Sequence, residues 1–261
     1  MPIKILFIGD IVGKPGRQAL SRELDRLIDR HNVDLVIANG ENAAGGFGLT
    51  VDTARELFEM GVHVLTSGNH IWDKKEQVPL VLADRRILRP ANYPDGTPGV
   101  GSALFTTPGG VKVALLNLEG RVFMKNLECP FRIADREIGQ IRKETPVILV
   151  DFHAEATSEK AALGWYLDGR ASAVIGTHTH VQTADERLLP GGTAYISDAG
   201  MTGSFDSVIG MGKDETIRKF LTQLPTKFEV GKKDIRLNGV VVGIEEQSGK
   251  ALSIERIAVS C

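Results

Sequence analysis

The sequence predicts an α/β protein of mixed strand direction, in which two β-sheets pack face to face and helices cover the outside. Three observations lead there. In the first 70 residues, short β-branched apolar runs alternate with stretches of helical period. Residues 101–118 hold two strand-like runs joined by Pro108-Gly109-Gly110, a hairpin pattern. The last third is strand-rich again, at 193–197, 237–245 and 252–259. The chain has 261 residues and no low-complexity linker, so one domain over residues 1–261 is expected.

The elements follow in order. Residues 3–8 are an apolar run ended by an acid, which reads as a buried strand and is too short for a secretory signal. Leu20, Leu24, Leu27 and Ile28 recur at helical spacing, with Arg and Asp on the opposite face. Residues 33–38 form the second strand. Thr50 can cap a helix whose inward face is Ala54, Leu57 and Phe58 and which Gly61 ends. Residues 62–66 form the third strand, and this strand–helix–strand order requires a parallel sheet. After the hairpin, a helix is expected from about 132 to 143, a strand at 147–152, a helix near 158–167 and a strand at 171–176.

Composition excludes several classes of function. With 31 Lys+Arg against 33 Asp+Glu, the net charge is -2, so nucleic acid is not gripped by bulk positive charge. No apolar stretch approaches the roughly 20 residues that span a bilayer. Two cysteines, Cys129 and Cys261, cannot form a disulfide framework, which fits a reducing compartment; the expected location is the cytoplasm.

The histidines carry the chemistry. His31 follows a helix and His63 falls in a strand pattern, both fitting structural roles. The other four lie just past strand ends, at His70, His153, His178 and His180. Asp10 follows the first strand, and Glu41 and Asn42 follow the second. Five strands thus deliver Asp10, Glu41 and Asn42, Asn69 and His70, His153, and His178 with His180 to one sheet edge, where α/β proteins bind ligands. A single such residue is more often a cap or turn; five convergent strands are not. The set Asp10, Glu41, Asn42, Asn69, His153, His178 and His180 is too large for one tetrahedral zinc and suits two ions sharing a carboxylate. His178 and His180 point the same way on an extended segment, but on a loop could reach two different ions. Nitrogen and oxygen donors without thiolate suit iron, manganese or zinc.

In this order, Gly9-Asp10, Gly40-Glu41-Asn42, Gly68-Asn69-His70, His153 and Gly176-Thr177-His178-Thr179-His180 resemble the calcineurin-like metallophosphoesterase signature. Three departures, Val12 for the usual histidine, Glu41 for the usual aspartate and Ile71 for an acid, together with the runs at 39–46 and 196–203, are similar to the bacterial YmdB-like branch. The resemblance implies a four-layer αββα sandwich and a phosphodiesterase acting on small nucleotides or RNA ends, 2′,3′-cyclic nucleotides among them. It assigns Asp10, Glu41, Asn42 and His180 to a first metal, with Glu41 shared, and Asn69, His153 and His178 to a second. It further implies iron first, otherwise manganese or zinc, a metal-bridging hydroxide as nucleophile and His70 as proton donor; a role for His70 in supporting the metals is the alternative, and acid catalysis is the preferred reading. Two divalent ions, two carboxylates and one hydroxide leave a charge of about +1 toward an anionic ester.

A phosphomonoesterase or protein phosphatase on the same site, or a metal- or nucleotide-binding scaffold, are the competing readings, and a homo-oligomer is compatible with all of them. Gly13-Lys14-Pro15-Gly16-Arg17 is not a P-loop, because its spacing is wrong and Pro15 replaces the magnesium-binding Ser/Thr. Phe47, in Gly45-Gly46-Phe47-Gly48, could stack on a base or meet a partner. Arg121 could touch phosphate but reads first as a surface charge, and Asp198 could support the site or serve equally as a cap or turn residue.

Overall fold

The computed structural model describes residues 2–261. In chain order the strands are β1 (Ile3–Ile8), β2 (Asp10–Ile11), β3 (Leu35–Asn39), β4 (Val64–Thr66), β5 (Ser102–Thr106), β6 (Lys112–Glu119), β7 (Ile148–His153), β8 (Ala173–Thr177), β9 (Arg187–Leu188), β10 (Ala194–Ile196), β11 (Met201–Ser204), β12 (Ile235–Ile244) and β13 (Ala251–Ser260). The helices are α1 (Gly13–His31), α2 (Val51–Glu59), α3 (Val78–Val81), α4 (Pro130–Ile141), α5 (Thr157–Tyr166) and α6 (Lys213–Thr222).

Two mixed sheets result. One is ordered β2-β11-β12-β1-β3-β4, with β13 paired to β12; the other is β5-β6-β7-β8-β10-β9. The period of two in each strand explains the layers. Ile5 and Phe7 of β1 point inward and pack, between the sheets, with Leu115, Leu149 and Ile175. Leu6 and Ile8 point outward and meet Leu20, Leu24 and Leu57 of α1 and α2. On the second sheet, Leu116, Val150 and Phe152 face α4 and α5 through Ile133, Ile138 and Leu163. The architecture is therefore the expected helices–sheet–sheet–helices sandwich.

Local signals act where the sequence places them. Thr50 caps α2 reciprocally with Thr53, and Gly61 follows the helix at φ +105°. The 13–17 segment is the first turn of α1, entered at Gly13 with φ +59°. Asn32, left-handed at φ 51°, ends α1 by donating its N–H to Ile28 O. Four features are additions to the sequence reading: the short pair β2–β11, the short helix α3, the two-residue strand β9, and α6 with the loops on either side of it. Among the described residues no helix is long and apolar enough to cross a membrane. Cys129 and Cys261 are free thiols.

Candidate metal centre

Parallel strands β1, β3 and β4 of one sheet and β7 and β8 of the other end on the same side of the sandwich. Asp10 is delivered by a sharp step from β1 to β2. A Cβ on Gly9 would lie 1.9 Å from Gly200 O, so only glycine lets the two backbones pass there. Glu41 and Asn42 occupy the turn after β3, Asn69 opens a short 3-10 turn after β4, His153 ends β7, and His178 and His180 follow β8. His178 and His180 have φ of 102° and 66°, a strained conformation for residues with side chains.

Each of the three histidines is oriented, by an acceptor on its far side, so that its other ring nitrogen faces inward. Asp151 Oδ1 accepts the Thr177 hydroxyl (2.7 Å), so Thr177 Oγ1 accepts from His153 Nδ1 (2.9 Å) and turns His153 Nε2 inward. His178 Nε2 donates to Glu155 Oε2 (3.0 Å), which frees Nδ1. His180 Nδ1 donates to Ile209 O (2.9 Å), which frees Nε2.

The inward atoms converge. His153 Nε2 lies 3.1 Å from Glu41 Oε1, 3.1 Å from Asn69 Oδ1 and 3.0 Å from His178 Nδ1. A single proton on Nε2 could satisfy only one of these three acceptors. Beside them, Asp10 Oδ1 and Asn42 Oδ1 are buried without a hydrogen-bond partner, and His180 Nε2 lies 3.9 Å from Asp10 Oδ1. Asp10 Oδ2 accepts the His178 backbone N–H (3.1 Å), which ties β2 to the β8 loop. Unsatisfied buried acceptors cost about 1–3 kcal/mol each, and a cation relieves them together. The donor set thus fits bound metal. Donor atoms of Glu41, His153 and His178 alone lie within 4.8 Å of one another.

Electrostatics point the same way. Burial raises the Asp10 carboxyl above its usual range, and the charges of His180 and His153 offset only part of that. Burial also acts on Glu41, but the charge and hydrogen bond of a protonated His153 overcome it and hold the group at about 2. Glu41, Asp10 and Asp151 in turn outweigh burial and raise His153 to about 9, so without metal a proton sits where the acceptors converge. His178 is driven down to about 3 by burial and then by the His153 charge, which keeps it a neutral imidazole. Beneath the donors, burial pushes Asp151 up to about 7 against the pull of His153, and Asn39 Nδ2 donates to its Oδ2 (3.2 Å).

All seven donor residues read from the sequence are thus brought together, with His70 beside them. The His70 backbone N–H donates to Glu41 Oε2 (3.0 Å), and its Nδ1 lies 2.7 Å from Asp73 Oδ2. Val12 is fully buried among Met201 and Met211, so the place of an imidazole is filled by core. Ile71 is likewise core. Sequence reasoning missed Asp151, Thr177 and Glu155. It left Asp198 open; Asp198 forms a buried pair with Lys160 (2.7 Å) and accepts the Thr179 N–H (3.0 Å), which holds the 177–180 loop. Arg121 donates its backbone N–H to Glu159 (3.0 Å). A cavity of about 610 Å³ opens onto the centre, lined by Glu41, Asn42, His70, His178 and His180 together with residues of the 208–228 segment.

A family model described as YmdB-like protein matches residues 6–257. A 2′,3′-cyclic-nucleotide 2′-phosphodiesterase of Bacillus subtilis (strain 168) is 50% identical over 258 residues, covering 99% of this chain and 97% of that protein. Among solved structures, a hypothetical protein from Thermus thermophilus superimposes with a TM-score of 0.93 at 43% identity, covering 99% of both chains. A protein of Mycoplasma pneumoniae described as a novel phosphatase gives 0.94 at 36% identity, covering 100% of this chain and 94% of that one.

Proposed function

The chain belongs to the YmdB-like family, and on that premise we propose that it is a metal-dependent phosphodiesterase of small nucleotides, with 2′,3′-cyclic nucleotides as its substrates. The single observation that carries this reading is the convergence of Glu41, Asn69 and His178 acceptors on Nε2 of His153. One proton there can satisfy only one of the three, and the oxygens of Asp10 and Asn42 beside them are orphaned, so the cluster is arranged for cations. Asp10, Glu41, Asn42 and His180 would hold one ion, and Asn69, His153 and His178 a second, with Glu41 common to both. Iron is the proposed metal, with manganese or zinc as alternatives, because the donors are imidazole, amide and carboxylate without thiolate.

Such a centre supplies Lewis-acid polarisation of a phosphoryl oxygen and activation of water. The protein supplies the rest. Asp151 through Thr177, Glu155 and the Ile209 carbonyl fix the imidazoles, so the donors need no rearrangement when an anionic ester arrives. His70 gives a proton to the leaving oxygen. Asp73 orients its ring through Nδ1, and among the described residues the other ring nitrogen has no protein partner and is free to reach the cavity. We place the protein in the cytoplasm, acting as one domain that can assemble with copies of itself.

The test is metal content together with hydrolysis of 2′,3′-cyclic AMP, a generic aryl phosphodiester and the matched monoester. Diester cleavage that His178→Ala abolishes is expected. Faster monoester turnover would make it a phosphomonoesterase; inertness toward all three, unchanged in His178→Ala, would defeat the proposal.

A further inference from the structure

The cavity is larger than phosphate chemistry requires. About 610 Å³ is the size of a site for a whole small ligand, and the donors make up only part of its lining. Another part of the wall is aromatic, and Phe47 joins the two, its ring edge-to-face with His70 at 5.1 Å. Phe47 and Phe228 are half-buried, rest on the Met201–Met211 cluster and line the cavity. Phe220, from α6, lines it too while remaining 72% exposed. An aromatic side chain left that open on a helix contributes little to the core. Leaving it there costs the fold nothing once a flat apolar group covers it.

Polar groups stand beside this wall. Lys219 makes no ion pair with any described residue, and Gln223 donates its Nε2 to Phe220 O (3.0 Å), which leaves its Oε1 as an acceptor. Flat apolar faces bordered by one cation and one amide acceptor match a heterocycle with π-faces and a polar edge. A bare phosphate or a simple alkyl ester has no use for them.

We propose that the 208–228 segment is a nucleobase subsite, with Phe220 as the stacking residue that makes nucleotides better ligands than base-free phosphate esters. The reading builds on the phosphodiesterase proposal for its substrate, but it is measured by binding. Its position explains how one phosphoester centre discriminates between substrates that differ far from the scissile bond. The phosphoryl group faces the donors at the strand ends, and the base faces α6, an element on which none of those donors lies.

The metal-loaded, full-length protein tests this with adenosine 3′-monophosphate and methyl riboside 3-phosphate, which differ only in the base. Equilibrium dialysis is expected to give tighter binding of the nucleotide. Stacking is worth about 1–3 kcal/mol per base, so Phe220→Ala should reduce that preference by roughly 5- to 150-fold, and Phe220→Trp should retain it. With adenosine 2′,3′-cyclic phosphate as substrate, the loss should appear in KM rather than in kcat. Equal affinity of the wild type for both ligands, or a preference unchanged in Phe220→Ala, overturns the subsite. If the wild type cleaves no cyclic phosphate yet shows the preference and loses it in Phe220→Ala, the subsite stands and the phosphodiesterase reading falls.

Discussion

Gly68 lies against the ring of His153, and replacing it by alanine is a sharp perturbation of the proposed centre. A Cβ there would sit 2.1 Å from His153 Cδ2, 2.3 Å from Nε2 and 2.4 Å from Cγ. Ordinary carbon contacts begin near 3.5 Å, so the imidazole would have to retreat by about 1.4 Å. A ligand bond tolerates only about 0.2 Å of error. The Gly68 φ of -150° carries no left-handed penalty, so the cost falls on the contact with His153. Over-packing of this kind costs about 1–3 kcal/mol, which leaves the protein folded. Gly68→Ala should therefore keep a cooperative urea transition with a lowered midpoint, bind less metal, and lose about 100-fold or more in kcat/KM on an aryl phosphodiester. Gly139→Ala is the control, because its Cβ in α4 would meet nothing within 4 Å. If Gly68→Ala kept its full metal complement and activity, His153 would not be a ligand held in place by its contact with Gly68.

Further outcomes follow from the same structure. Glu155→Gln removes the charge that holds His178 Nε2 at 3.0 Å and should weaken metal binding by about 10- to 100-fold in a chelator titration, with little change in fold. Lys160→Met leaves Asp198 buried and unpaired and should cost about 3–5 kcal/mol in urea unfolding; a smaller loss would mean that the pair does not hold the 177–180 loop. His63 accepts the Val36 N–H at Nδ1 (3.0 Å), a lone pair that only the neutral ring offers, and burial lowers its pKa below the ordinary 6.5. Its contribution is complete above pH 6.5 and declines as pH falls below it, because the unfolded chain takes up a proton that the folded one resists. The stability gap between wild type and His63→Gln should accordingly narrow from about pH 7.5 to about 5.5, and a constant gap would refute it. Removing metal with a chelator should lower Tm while a single cooperative transition remains, as one domain requires.

Much of this was legible in the sequence because the periods are strong. The outward Leu6 and Ile8 and the inward Ile5 and Phe7 alternate as a strand between two layers must. The convergence of these side chains was legible because each follows a strand end, a position that topology alone gathers on one edge. By contrast, α6 was missed although Ile217, Phe220 and Leu221 stand at helical spacing; the stripe faces solvent, only Thr216 is buried, and burial is not something one stripe can announce. The chain Asp151–Thr177–His153 was hidden for another reason. It joins β7 to β8 across 24 to 26 positions, and nothing local in either strand announces the contact. Asp198 had equal claims to be a cap or a support, and only its approach to Lys160 from α5 decided between them.

The left-handed backbone at His178, with φ 102°, sets stability against purpose. A side chain in that conformation costs on the order of 1–3 kcal/mol, which glycine would recover. Folding alone therefore disfavours an imidazole at that position, and only what the imidazole binds favours it. A search for heat-resistant variants carried out without metal is expected to discard His178 early. The same search with metal present should keep it, so the protein that emerges depends on which ligand was in the tube.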